Sequence, residues 1–342
     1  MQRRDFFRTV ETSAVVGTGT LLAAQAGRAA APAAPPPFKI GMYLPELGLP
    51  FDPALATAAR LGAKYIWFNR VPDEPEIADL TDARARQIAD RVAAQGLEIF
   101  LLNAGNPFKK IHLTDLDLKT MTDHPEFRRD LQNLERSMQI AAEIGVKTVG
   151  SFTFAWPGEY SAGKPTWPMR WLTRGGVIAE VDAQKWLKAF SLVAQRAEKY
   201  DVDVALSMMP WNYTNTTGHF RQLVERLGSR RIKVMWGPAD NLNCGEWDTA
   251  TAGFQNVRPF LHGLHLKDLT VRDGLQLDFE YCPLGRGDVD FTTVFRQLRQ
   301  HQCDVFLSVS THFLPPGGSR VEAMRINMTR LQELLKETAK EA

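Results

Sequence analysis

The chain has 342 residues, 41 Lys+Arg against 39 Asp+Glu, 44% hydrophobic residues and 3 Cys. Balanced charge leaves no cation excess for a phosphate backbone, so nucleic acid is not an expected partner, and the apolar fraction excludes a disordered chain. Three thiols cannot make a disulfide framework, and the length fits one large α/β barrel or two average domains.

The first residues form a separate segment. Gln2-Arg3-Arg4-Asp5-Phe6-Phe7-Arg8 resembles a twin-arginine export motif, followed by a mildly apolar stretch from Ala14 to Ala24 and small residues at Ala29, Ala30 and Ala31. Residues 1–31 are therefore expected to be a twin-arginine-type signal peptide, and 32–37 a Pro-rich tether. The expected partner is the twin-arginine export machinery and the expected location the bacterial periplasm. The stretch falls short of the roughly 20 strongly apolar residues of a span, so no stable membrane anchor is expected. Cys244, Cys282 and Cys303 are odd in number and scattered; free thiols are the default, a bridged pair the alternative.

From Phe38 onward β-rich runs alternate with amphipathic helical runs. In chain order the predicted pairs are strand Lys39–Tyr43 with helix Asp52–Leu61, Lys64–Phe68 with Thr81–Gln95, Glu98–Asn103 with Glu126–Ile144, and Val146–Phe154 with Asp182–Tyr200. Then follow Asp203–Met208 with Gly218–Leu227, Lys233–Trp236 with Thr249–Val257, Leu261–Leu266 with Phe291–Gln300, and Val305–Val309 with Ser319–Glu337. Nearly continuous apolar strands suit a parallel sheet covered on both faces. Thr81 or Asp82, and Asp182, stand where a side-chain oxygen can cap a first helical turn. Gly62, Gly96 and Gly145 stand between helix and strand, where a left-handed cap belongs.

Eight such repeats predict a single (β/α)8 TIM barrel over 38–337. The turn after the first strand, Met42 to Gly48, carries no G-x-G-x-x-G cradle, which argues against a dinucleotide-binding sheet. The segments Ala104–Pro125 and Ala155–Val181, after strands three and four, are long and rich in Trp, Pro and Gly. On a barrel they lie at the C-terminal face, where barrel enzymes place their active sites, and read as a pocket wall or lid.

Several motifs then converge. Leu264-His265-Leu266-Lys267-Asp268 reads as H-x-K-D on strand seven, Pro283 to Phe291 as a G-x-G-x-[IV]-[DN] turn, and Phe306 to Phe313 as an eighth-strand pattern. With Phe38-Lys39-Ile40-Gly41 and Val146-Lys147-Thr148-Val149, these make the chain resemble the xylose-isomerase-like superfamily of sugar phosphate isomerases and epimerases. The resemblance implies a divalent cation held by oxygen-rich ligands and one His, with two carboxylates moving a proton beside a carbonyl. It also implies a Glu ending strand five, an Asp ending strand six, the His of strand seven and a Glu ending strand eight. Those positions read Ser207, Gly237, His265 and Ser310. Hydroxyls neither retain a dication well nor act as unassisted bases, so the usual metal-dependent mechanism is expected to be lost or rebuilt.

A rebuilt site draws on Asp240, three residues after Gly237, and on His312, which shares a strand face with Ser310. His265, Asp240 and His312 form a candidate displaced metal site whose mixed nitrogen and oxygen ligands suit zinc or manganese better than magnesium. The alternative leaves His265 as a hydrogen-bonding remnant and His312 as an ordinary histidine. Candidate catalytic groups are the loop carboxylates Glu46 and Glu159, and Lys267. Tyr43, Trp156, Trp211 and Trp236 offer flat faces to sugar C–H surfaces. Asn69, Asn103, Ser207, Asn212, Asn241, Lys267 and Ser310 are candidate hydroxyl partners. Lys267 and Arg286 are also candidates to recognise an acidic sugar or phosphate; the alternative pairs them with charges such as Asp268 and Asp288. Two functions follow: an exported barrel that binds a carbohydrate or polyol without the isomerase mechanism, or an isomerase, epimerase or lyase with a rebuilt site.

Overall fold

The computed structural model describes residues 38–156, 177–273 and 278–340. The expected leader and tether, and Glu159, lie outside the described residues.

Strands β1 (Lys39–Tyr43), β2 (Tyr65–Phe68), β3 (Glu98–Asn103), β4 (Thr148–Ser151), β5 (Asp203–Ser207), β6 (Ile232–Trp236) and β7 (Leu261–Leu266) run in sequence. An antiparallel hairpin follows, β8 (Asp268–Asp273) and β9 (Asp278–Cys282), and then the last barrel strand, β10 (Phe306–Val309). Neighbouring barrel strands pair in parallel, and β10 closes the barrel between β7 and β1, with Ser308 opposite His265 and Lys39 opposite Phe306. The helices are α1 (Phe51–Arg60), α2 (Asp82–Ala94), α3 (Pro125–Glu143), α4 (Glu180–Tyr200), α5 (Thr217–Leu227), α6 (Pro238–Asn243), α7 (Phe254–Val257), α8 (Phe291–Gln300) and α9 (Arg320–Ala339). This is a single (β/α)8 barrel. No described helix is long and apolar enough to cross a membrane.

Helix α8 illustrates how local sequence makes an element. Asp290 accepts a hydrogen bond from the Thr293 amide at 2.9 Å and starts the helix. Phe291, Val294, Phe295 and Leu298 recur at helical spacing, and all are buried against the barrel. Each such side chain contributes about 1.5–3 kcal/mol on burial. The interior of the barrel is filled by Trp67, Phe100, Leu101, Ala205 and Met235, with Phe306 stacked on Phe100 at 4.4 Å. Gly263 allows this filling, because a Cβ there would stand 2.9 Å from the Phe306 carbonyl oxygen and 3.1 Å from Met235 Sδ.

Thr81 caps α2 by accepting from the Arg84 amide at 3.2 Å, and Gly62, Gly96 and Gly145 adopt φ of 86°, 68° and 75° between helix and strand. Other expectations need correction. Helix α4 begins at Glu180 after Ala179, so Asp182 is not its cap. Its buried carboxylate instead accepts from the Tyr213 hydroxyl at 3.0 Å. Strand four ends at Ser151 because the chain beyond it leaves the sheet: the Ala155 amide donates to the Ile111 carbonyl, joining the two long loops. The predicted helix 249–257 is a π-helical turn over Thr249–Gly253 followed by α7. The hairpin β8–β9 and the short α6 were not foreseen. Cys244, Cys282 and Cys303 are free thiols.

Candidate functional site at the C-terminal mouth of the barrel

The floor of the mouth is aromatic. Tyr43 ends β1, and its ring lies 4.2 Å from that of Trp67 on β2, which meets the His265 ring edge-on at 5.5 Å. Trp67 Nε1 donates to Ser308 Oγ at 2.8 Å, fixing the indole beneath the mouth. The Tyr43 hydroxyl donates to Asn69 Oδ1 at 2.7 Å, and burial, with the nearby Glu46 charge, pushes its pKa up to about 12, so it stays a donor. His265 is held far below the ordinary imidazole range by burial and then by the positive charges of Lys267 and His312, so its ring is neutral.

Above this floor lies the strand-six turn. Gly237 opens α6, Pro238 occupies its first turn, and the Asp240 amide donates to the Gly237 carbonyl at 2.9 Å. This turn swings the Asp240 carboxylate back over Gly237, where any Cβ would collide with Asp240 Oδ2. A carboxylate is thus supplied to the space over position 237 from one helical turn further on. Its other oxygen, Oδ1, lies 2.9 Å from Lys267 Nζ, and both side chains are almost fully buried. Burial disfavours the lysine charge, but the Asp240 carboxylate outweighs it and the pKa of Lys267 is raised.

Asp268 and Asp288, the alternative partners for Lys267 and Arg286, are engaged elsewhere. The Asp268 carboxylate accepts from the amides of Leu269, Gly285, Gly287 and Val289, tying β8 to the turn ahead of α8. Asp288 accepts from the Val271 amide at 2.7 Å.

A carboxylate–imidazole contact adjoins Lys267. Glu46, in the 3-10 turn Leu44–Leu47, is buried, with His312 Nδ1 3.2 Å and the Ser310 hydroxyl 3.4 Å from its Oε1. Burial raises the Glu46 pKa, but the His312 hydrogen bond and the charges of His312, Lys267 and Arg320 outweigh it, holding the carboxyl below its ordinary value. His312 Nε2 lies 3.5 Å from Lys267 Nζ, and its ring packs 4.9 Å from that of Tyr281 on β9. Asp240, Lys267, His312 and Glu46 thus form one chain of contacts across the mouth, with a carboxylate at each end.

The other predicted groups are distributed around this chain. Asn103 ends β3 and is buried, as is Ser207 at the end of β5; Ser310 follows β10, its amide bonded to the Leu266 carbonyl. Trp156 is buried between Tyr213 and His219, and Asn212 is fully buried beside it. Trp236 and Asn241 bond each other at 2.8 Å and build the wall of the barrel rather than its mouth. Trp211 carries Lys109 over its face at 5.3 Å, and Lys109 also lies 4.8 Å from the Phe152 ring. Burial first, then repulsion from Lys110 and Lys267, brings the Lys109 pKa down to about 8. Lys109, Tyr281, Arg70 and Arg320 escaped the sequence reading; only the doublet Lys109-Lys110 in a long loop hinted at the first. A cavity of about 370 Å³ opens beside the floor, lined among others by Tyr43, Glu46, Asn69, Arg70 and Arg320.

With this geometry in view, comparison with known proteins is decisive at the level of family. The model of the xylose isomerase-like TIM barrel family matches residues 55–333. The chain belongs to that family. Among solved structures, this xylose isomerase-like barrel is similar to an L-ribulose 3-epimerase (16% identity, 89% of this chain and 96% of that one, TM-score 0.64). It is also similar to the 3-keto-D-glucoside 4-epimerase of E. coli (16%, 87% and 100%, 0.62) and to the zinc-bound IOLI protein (16%, 88% and 99%, 0.64). Identities this low establish the shared fold alone. No curated protein matches the chain in sequence. Within this xylose isomerase-like barrel, no group of three His, Cys, Asp or Glu side chains among the described residues is disposed to hold a metal.

Proposed function

We propose that the C-terminal mouth binds a carbohydrate or related polyol, with the Lys267 ammonium supplying the positive charge that the family resemblance assigns to a divalent cation. The observation that carries this reading is a set of buried polar atoms without hydrogen-bond partners among the described residues: Asn103 Oδ1, both amide atoms of Asn212, Asp240 Oδ2 and His265 Nε2. These residues lie at or just past the ends of β3, β5, β6 and β7, which is one face of the barrel. A buried polar atom left unpaired costs about 1–3 kcal/mol, and hydroxyls, which both donate and accept, suit such a mixed set. The Tyr43 and Trp67 rings add an apolar face for sugar C–H bonds. Two of the similar structures named above are sugar epimerases.

His265, Asp240 and His312 do not fit a resident dication. Asp240 Oδ1 is held by Lys267, His312 turns Nδ1 to Glu46 and Nε2 toward the ammonium, and a metal among them would stand against the lysine charge. The twin-arginine motif at Arg3-Arg4 supports export of the barrel to the periplasm.

The contact of Glu46 with His312 favours a second reading, an isomerase, epimerase or lyase with a rebuilt site. In it His312, oriented by Glu46, takes the proton beside a carbonyl whose oxygen accepts from Lys267.

The first reading is tested by calorimetric titration with neutral sugars and polyols before and after chelation, alongside metal analysis. Binding that survives EDTA and weakens about tenfold or more in Lys267→Met is expected. One stoichiometric divalent ion, lost in His265→Ala together with binding, would overturn the metal-free reading. Deuterium exchange at sugar C–H bonds, abolished in His312→Ala, decides the second reading.

A further inference from the structure

The following rests on the carbohydrate reading and specifies the ligand. The 370 Å³ cavity has the size of a small-molecule site, and its wall combines the end of β1, the loop after β2 and the start of α9. Its charged groups differ in how they are engaged. Glu46 is buried and held by His312 and Ser310. Arg70 and Arg320 are exposed, and among the described residues neither side chain has an ion pair or hydrogen bond to the protein. Arg320 also lines the smaller cavity that His312 shares, so it spans both recesses of the mouth.

The surroundings carry the same sign. Lys109, Lys110, Lys267, Arg70 and Arg320 stand in or beside the mouth against Asp240, Glu46 and the exposed Glu76. Asp240 is committed to Lys267 and Glu46 to His312, which leaves Glu76 as the one acid of the three without an ion-pair partner among the described residues. An anion entering the mouth relieves repulsion among the cations, and a guanidinium fork matches the oxygens of a carboxylate or a phosphate.

We propose that the ligand is a sugar or polyol bearing one anionic group, a carboxylate or a phosphate, gripped by Arg70 and Arg320 at the wall of this cavity. The hydroxyl-bearing end then faces Tyr43, Asn69 and Glu46, where a carboxylate acceptor suits hydroxyl protons and rejects a second anion.

The test is calorimetric titration of the purified chain with glucose, galactose and xylose, with the corresponding sugar acids, and with the corresponding sugar phosphates, at low and physiological salt. At least one anionic ligand is expected to bind about tenfold or more tighter than its neutral parent, with an advantage that shrinks as salt screens it. Arg70→Gln and Arg320→Gln are each expected to weaken the anionic ligand several-fold, and the double variant to bring the anion-to-neutral ratio close to one. Whichever anion the double variant weakens more, acid or phosphate, identifies the group recognised. Neutral sugars binding as tightly as both anions overturns this proposal and leaves the carbohydrate reading standing. An anion preference that survives the double substitution also overturns it. If no ligand of the panel binds, the carbohydrate reading itself fails.

Discussion

Lys267→Met tests the charge arrangement of the mouth most directly. The substitution keeps most of the apolar stem but removes the ammonium 2.9 Å from Asp240 Oδ1, leaving a carboxylate that is 3% exposed without its counter-charge. Removing one partner of a buried pair costs about 3–5 kcal/mol, because the remaining charge has neither water nor partner. Against a typical total stability of about 5–15 kcal/mol, that loss shifts the unfolding midpoint strongly. Asp240→Asn is expected to destabilise for the mirror-image reason. The double variant Lys267→Met/Asp240→Asn removes both charges and should be more stable than the sum of the singles implies, by about 3 kcal/mol. Urea unfolding at pH 7, followed by tryptophan fluorescence and circular dichroism, measures all four corners of the cycle. The slope with denaturant should stay constant, so that midpoints report stability. Single variants that lose less than about 1 kcal/mol, as a surface pair would, or strict additivity across the cycle, would refute the buried pair.

Other outcomes follow from the same geometry. Gly237→Ala is expected to destabilise by about 1–3 kcal/mol, since its Cβ must push aside the Asp240 carboxylate; a neutral effect in thermal melts would show that the carboxylate does not lie over position 237. Lys109, with a pKa of about 8, should reach half its maximal rate of labelling by an amine-selective reagent near pH 8, whereas exposed lysines require more alkaline solution; peptide mapping that finds the Lys109 rate rising with the rest contradicts its burial and its crowding by Lys110 and Lys267. The Glu46 pKa is depressed on folding, so the stability it confers is present above the ordinary value of 4.5 and is lost as pH falls through the lower folded value. Glu46→Gln should therefore lose the least relative to wild type in acid and the most near neutrality; a difference in Tm that is constant from pH 7 to about pH 3 sinks that linkage.

How much of this was legible beforehand depends on the range of the interaction concerned. The barrel strands follow from runs of apolar residues, and the caps at Thr81, Gly62, Gly96 and Gly145 from chemistry within a few residues. Asp182 misled because its carboxylate serves Tyr213, 31 positions away, instead of its own helix. The absence of an acid at Gly237, and Asp240 as a candidate for a rebuilt site, were legible, whereas the position of the Asp240 carboxylate directly over residue 237 needed the helical turn that folds residue 240 back. Glu46 was named only as a loose candidate; its contact with His312 joins β1 to β10, neighbours in the barrel but remote in the chain.

Local pattern determined the repeat, the barrel and the family, because hydrophobic periodicity, capping and strand-end motifs act over short stretches of chain. Only the tertiary structure decided which charges meet. Lys267 lies next to Asp268 in sequence yet pairs with Asp240, since Asp268 turns to the amides of Leu269, Gly285, Gly287 and Val289 and the β6 turn carries Asp240 to the ammonium. A buried charge takes the partner that barrel closure brings within about 3 Å, and chain order does not record that distance.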